Sequence, residues 1–176
     1  AGTCAGAIKK NINMDEAVLN SLMLEVKKEA LEKGRVITLS TVGMSMFPFL
    51  TTNNKIELIK CDPARLKNGD IIVYKNNGKM IAHRLMRRIK AKDEYLFVTK
   101  GDAFCSYDRP ISSDAIMGRV IKIKKRYLSI YLEGISGRVI NLIMFLISLS
   151  KTSGLAARGL IKIKRLFVKP HNIARG

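Results

Sequence analysis

The chain has no Trp, only two His and only three Cys among its 176 residues. Each scarcity excludes a class of protein. Cys4, Cys61 and Cys105 form no even set and no C-x-x-C pair, so the expectation is free thiols in a reducing compartment and not a disulfide framework. Two His are too few for a Cys/His zinc centre, and neither a metal nor another cofactor is expected. Without Trp or interleaved aromatics there is no stacking platform for single-stranded nucleic acid, and no recognition-helix signature replaces it. Carboxylates are scarce as well: 14 Asp and Glu face 32 Lys and Arg, for a net charge of +18. No apolar run reaches the roughly 20 residues that a membrane-spanning helix needs. The opening "AGTCAGAIKKNIN" lacks the apolar segment of a secretory signal, which leaves the cytoplasm or the periphery of a membrane as the expected location.

What is present falls into four stretches. Residues 1–13 read as a disordered lead or an added remnant. Residues 14–34 read as a helix that packs on the domain or leads into it. Asn13 would cap it with Glu16, Val18, Leu22, Val26 and Ala30 would form one face, and Gly34 would stop it. Residues 35–126 carry 19 basic and 8 acidic groups and change rhythm to short strands. The runs "RVITLS", "KIELI", "DIIVYK", "KMIAHRLMRRI", "EYLFVTK" and "AIMGRVIKIKK" are rich in β-branched and aromatic residues. Turn signals such as "TTNN", "DPARLKNGD", "NNGK" and "AKDE" separate them. The close spacing predicts antiparallel hairpins in a mainly β domain.

Residues 127–176 carry eight basic groups and one acidic group. Their apolar run 139–149 is too short to span a bilayer. Two readings stand level: a helix pair buried against the domain or a partner, and a helix lying in a membrane interface. The expected partner surfaces are therefore an anionic membrane through 139–169, or a second copy of the chain through this tail. Nucleic acid is not expected.

For chemistry, the stretch "TVGMSMFPFL" places Ser45 behind Gly43 and ahead of Pro48, where a turn would expose its hydroxyl. A serine nucleophile needs a base, and the base needs an orienting group. His83, in "MIAHRLMRR", can supply the base near neutral pH. His171 lies in a polar end and reads as solvated. Asp102 and Asp108, in "TKGDAFCSYD", can each orient an imidazole. Cys105 between them reads as a small buried side chain, since no basic neighbour is evident. Met44, Met46, Phe47 and Phe49 read as core, or as the lining of a substrate groove.

Taken in order, "GMSMFPFL", "GDIIVYK", "MIAHRL", "LFVTKGDAFCSYD" and "IMGRVIKI" resemble the signal peptidase I group of serine proteases, itself similar to the self-cleaving repressor proteases. The likeness covers residue 36 to about residue 125. His83 stands where most bacterial members carry Lys, which resembles the endoplasmic-reticulum and archaeal branch. The resemblance implies a coiled antiparallel β fold, with Ser45 as nucleophile, His83 as base, and Asp102 and Asp108 as acidic partners, Asp108 preferred as the orienter. It also implies an extended peptide or protein precursor as substrate, with small side chains near the cut.

Three features depart from the family pattern. A charged helix stands where the family usually has a membrane anchor. Gly43 replaces a hydroxyl residue seen in some relatives, so backbone N–H groups around Gly43, Ser45 and its Met44 and Met46 neighbours would form the oxyanion hole. The apolar stretch follows the domain instead of preceding it. A serine endopeptidase is thus the leading expectation. The alternatives are a basic membrane- or nucleic-acid-binding module with an idle protease site, and a self-cleaving regulator, for which 34 leading residues leave no room for a DNA-binding domain.

Overall fold

A computed structural model describes residues 21–91 and 94–149. It is mainly β, as the strand periodicity predicted. Eight strands form one antiparallel sheet: β1 (Ile37–Ser40), β2 (Lys55–Ile59), β3 (Ile71–Asn76), β4 (Lys79–Ala91), β5 (Glu94–Lys100), β6 (Ile111–Ser112), β7 (Ile116–Lys124) and β8 (Ser129–Tyr131). Their order across the sheet is β1-β2-β7-β3-β4-β5-β6, with β8 on β7. The β2 and β5 ranges coincide with "KIELI" and "EYLFVTK". β6 and β8 have two and three residues and were not anticipated, because so short a run carries no readable alternation. Since β8 pairs with β7 and Leu132 lies in the core, the sheet takes in residues that the sequence reading gave to the tail.

β3 organises the domain. Its "IIVY" is buried on both faces, as a continuous β-branched run requires. Ile71 and Val73 enter one apolar cluster with Leu39, Met46, Ile56, Leu58 and Val120. Ile72 and Tyr74 enter a second with Leu66, Leu85 and Phe97. Alternation along one strand therefore separates two cores. Asn77 and Gly78, at φ 49° and 73°, form a two-residue turn of the kind that matches strand twist, and it fixes the register Ile72↔His83 and Ile71↔Arg84.

Two helices flank the sheet. The helix α1, described over residues 21–32, ends at Gly34 (φ 71°), where Gly34 N–H donates to Leu31 O and Arg35 N–H to Ala30 O. This is a Schellman stop, as expected. The packed face is not the expected one. Leu22 and Val26 are 59% and 65% exposed, while Leu24 and Leu31, seven residues apart, are buried. The sheet accepts the stripe that faces it, and two apolar stripes on one helix cannot both turn inward. The expected helix residues 14–20, the lead 1–13 and the tail 150–176 lie outside the described residues.

α2 (Gly134–Leu149) packs Ile140 and Met144 against the first core and fully buries only small and polar residues. Gly137, Asn141 and Ser148 face the domain, and a Cβ on Gly137 would lie 2.2 Å from the Leu132 carbonyl carbon. Lys100 Nζ donates to Ser148 O, in the last turn of the described helix. The outward side is apolar: Ile135, Val139, Leu142, Ile143, Leu146, Ile147 and Leu149 are all exposed. Among the described residues no helix is long and apolar enough to cross a membrane.

β7 approaches β2 with no room to spare at Gly118, where a Cβ would lie 2.4 Å from the Ile59 carbonyl oxygen. Both neighbours are backbone, so neither yields as a side chain would. Gly118→Ala is expected to cost about 1–3 kcal/mol. Urea denaturation followed by circular dichroism should show a lower midpoint at unchanged slope.

Candidate active site

The Ser45 turn is built from its own sequence. Gly43 sits at φ 99°, a backbone region that favours glycine. Thr41 closes the neck of the loop through its hydroxyl, which donates to Thr51 O at 2.6 Å and to Asn54 O at 3.1 Å. Met46, Phe49 and Leu50 are buried in the first core and anchor the far side. Ser45 itself is half-buried. Its carbonyl accepts the Ala103 N–H at 2.9 Å, which ties the turn to the "KGD" loop. Among the described residues neither Met44 N–H nor Ser45 N–H donates a hydrogen bond, whereas Gly43 N–H is committed to Thr52 Oγ1 at 3.0 Å. Thus Ser45 N–H is free to meet an oxyanion and Gly43 N–H is not. Met46 and Gly43 line the cavity beside Ser45, and Met44 is not among its lining residues.

His83 comes from β4 and is buried. Its Nδ1 lies 2.6 Å from Asp108 Oδ2. The same oxygen accepts the Thr99 hydroxyl at 2.7 Å and the Tyr74 hydroxyl at 3.3 Å. Burial disfavours the charge of Asp108. The hydrogen bonds from His83, Thr99 and Tyr74 more than offset this, and its carboxyl titrates below the ordinary 3.8. An ionised Asp108 requires Nδ1 to be the donor, so in the neutral imidazole Nε2 is left as the acceptor. Burial beside that carboxylate pushes the Tyr74 phenol up to about 12, so it stays a donor. Tyr74 and Phe104 flank the imidazole edge-on at 6.4 and 6.0 Å.

Asp102 does something else. Its two oxygens accept Arg84 Nε and Nη2, each at 2.8 Å, with Arg84 and Asp102 both buried. Arg84 Nη1 donates to Gly69 O at 2.7 Å, and its guanidinium lies 5.4 Å from the centroid of the Phe49 ring. Adjacent residues of a strand point to opposite faces, so His83 and Arg84 send their partners to opposite sides of β4. Of the two expected acids, Asp108 therefore joins His83, and Asp102 holds the loop in a fork-to-fork ion pair.

Gly101 sits where the parts converge. A Cβ there would lie 2.7 Å from Ser45 O and 3.2 Å from His83 Nε2. Ser45 and His83 open on one cavity of about 1020 Å³. No hydrogen bond joins Ser45 Oγ to His83 here, and hydrogen bonds of this kind often tighten only around substrate. Sequence reasoning missed Thr99, Tyr74, Arg84 and Gly101. For Thr99 and Arg84 a signal existed in the alternation of "HR" and "TK". Cys105 was expected to be buried, but it is exposed on the loop. Cys61 is half-buried, and burial pushes its thiol up to about 11, which makes it a poor nucleophile. No cluster of three or more His, Cys, Asp and Glu able to hold a metal occurs among the described residues. Cys4 and His171 lie outside them.

No protein-family model matches the chain, and comparison with curated proteins finds no match.

The two acids are separable by experiment. Asp102→Asn strands a buried guanidinium and is expected to cost about 3–5 kcal/mol of stability. Asp108→Asn should keep the fold and lower any Ser45-dependent turnover by orders of magnitude, because the amide favours the wrong imidazole tautomer. The lowered titration of Asp108 means that its stabilisation is complete above its unfolded value, near 3.8, and is lost as pH falls through the folded one. Asp108→Asn should therefore lose less stability than wild type in that acid range, measured by thermal unfolding against pH.

Proposed function

We propose that the chain is a serine endopeptidase acting through Ser45, His83 and Asp108. The observation that carries this reading is the 2.6 Å contact of His83 Nδ1 with an ionised Asp108, while His83 and Ser45 line one cavity. Ser45 Oγ attacks the peptide carbonyl carbon as Nε2 takes its proton, and Asp108 stabilises the imidazolium without becoming protonated. The carbonyl oxygen, now anionic, is met by the Ser45 N–H. Collapse breaks the C–N bond, and His83 returns the proton to the leaving amine. Water then repeats the sequence on the acyl-enzyme with His83 again as base.

The cavity walls support an extended peptide as the substrate. β1 is an outer strand of the sheet, and β4 pairs with β5 only from Arg84 onward, so residues 79–83 present an unpaired edge. Residues of both strands line the cavity. An extended peptide adds naturally to such edges. No metal or nucleotide takes part in this reading. The test is a fluorophosphonate probe followed by mass spectrometry of the intact chain. Labelling is expected at Ser45, lost in Ser45→Ala and in His83→Ala, with the double variant little worse than either single in peptide cleavage. Wild-type activity persisting in His83→Ala removes His83 from the mechanism.

We also propose that α2 rests on an anionic membrane surface. Its outward apolar side, with Leu142 and Leu146 more than half exposed, adjoins a tail whose residues 127–176 carry eight basic groups against one acidic. Each Lys or Arg near an anionic bilayer contributes roughly 1 kcal/mol, and apolar burial adds to that. The full chain should sediment with phosphatidylserine-containing vesicles, and salt should weaken the binding without abolishing it. Leu142→Glu/Leu146→Glu, which leaves the buried side of α2 untouched, should stay in solution. A chain that ignores vesicles and elutes as a dimer, made monomeric by the same variant, would make α2 a protein interface.

A further inference from the structure

The cavity beside Ser45 is long, and its walls are not uniform. Its catalytic end is formed by Gly43, Ser45, Met46 and His83. Its far end is formed by Met23, Leu24 and Lys27 of α1 and by Gly78, Lys79 and Met80 at the β3–β4 turn. No Asp or Glu is among the lining residues. Lys27 is half-buried and Lys79 exposed, and neither has an ion-pair partner among the described residues. Two lysines thus line an otherwise largely apolar and hydroxyl-lined groove, and among the described residues no carboxylate lines it. Glu25, Glu29, Glu32 and Glu57 pair with other lysines, so none of these carboxylates is committed to Lys27 or Lys79.

Position along β4 sets a scale. Lys79, Ile81 and His83 alternate onto one face of the strand, and four residues of extended chain span about 13 Å. A peptide laid along the free edge of β4 keeps the same rise per residue. Its side chain about four residues from the bond held at Ser45 therefore reaches Lys79, and Lys27 of α1 lines the same cavity. A carboxylate there meets Lys79, with the half-buried Lys27 on the wall of the same cavity, and both cations attract it. A cationic side chain meets repulsion. The chain's own tail, with its surplus of Lys and Arg, is a poor occupant by the same reasoning.

We infer that this groove selects peptides carrying an acidic side chain about four residues from the bond presented to Ser45. The inference depends on the peptidase reading only for the position of the cut bond. The test uses the full chain with Ser45→Ala, so that peptide is bound and not cut. Fluorescence anisotropy compares labelled peptides with a small-residue centre and either Glu or Lys four residues away, the pair made once on each side of the centre. On one side the Glu peptide should bind at least tenfold more tightly than its Lys twin. Adding Lys27→Glu/Lys79→Glu should reverse that preference. Adding Lys90→Glu/Arg126→Glu, an equal charge change remote from the groove, should leave it in place. Equal affinity for the twins overturns the inference, as does a preference that both double variants remove alike, since net charge alone would then explain it. Probe labelling of wild-type Ser45 is read separately. Labelling without acidic preference sinks the groove proposal alone, and acidic preference without labelling sinks the catalytic reading alone.

Discussion

The Arg84–Asp102 pair is the constraint on which the rest of the site depends. A guanidinium with no exposed surface must have all its partners present before the chain can close around it. Asp102 supplies two of them and the Gly69 carbonyl a third. That requirement pins the loop after β5 to β4 and to the turn before β3. The energy of such a pair is a poor measure of its role, since desolvation cancels much of the attraction. Its contribution is to leave the loop one position, and with it the 2.9 Å bond from Ala103 N–H to Ser45 O and the placement of Asp108.

The two sides of β4 divide the labour. On one side His83 meets a carboxylate that receives three hydrogen bonds, in a setting dry enough to raise the Tyr74 phenol. On the other side Arg84 and Lys100 fasten the loop and α2. Chemistry and anchoring are separated by the thickness of one strand. The second side also carries α2, which packs Ile140 and Met144 on the first core, buries Gly137, Asn141 and Ser148, and still leaves a broad apolar side outward. A helix so arranged has its apolar stripe available for another surface.

Charge follows the same division of space. Most lysines at the surface either stand in water or pair with a nearby glutamate, and such pairs contribute little to stability. Lys27 and Lys79 differ by where they stand, on the wall of a groove that no carboxylate among the described residues lines. The surplus of +18 is a property of composition. Which of its members line the groove is a property of the fold.

From the sequence alone the mainly β class, six of the eight strands, the Asn77-Gly78 turn and the Gly34 stop were legible, because each rests on contacts between near neighbours in the chain. Ser45, His83 and Asp108 were legible as residues, with Asp102 as a rival to Asp108. The choice between the two acids was made by tertiary structure. Alternation along β4 and β5 sends His83 and Thr99 to one face, and Arg84 and Lys100 to the other, and only the folded loop brings each Asp to its side. The packed face of α1, the pairing of β8, the exposure of Cys105 and the clearance at Gly101 were likewise decided by groups distant in sequence. Local periodicity determines which stretches become strands and helices. Which partner each side chain meets depends on long-range pairing, and no short window of this sequence contains that information.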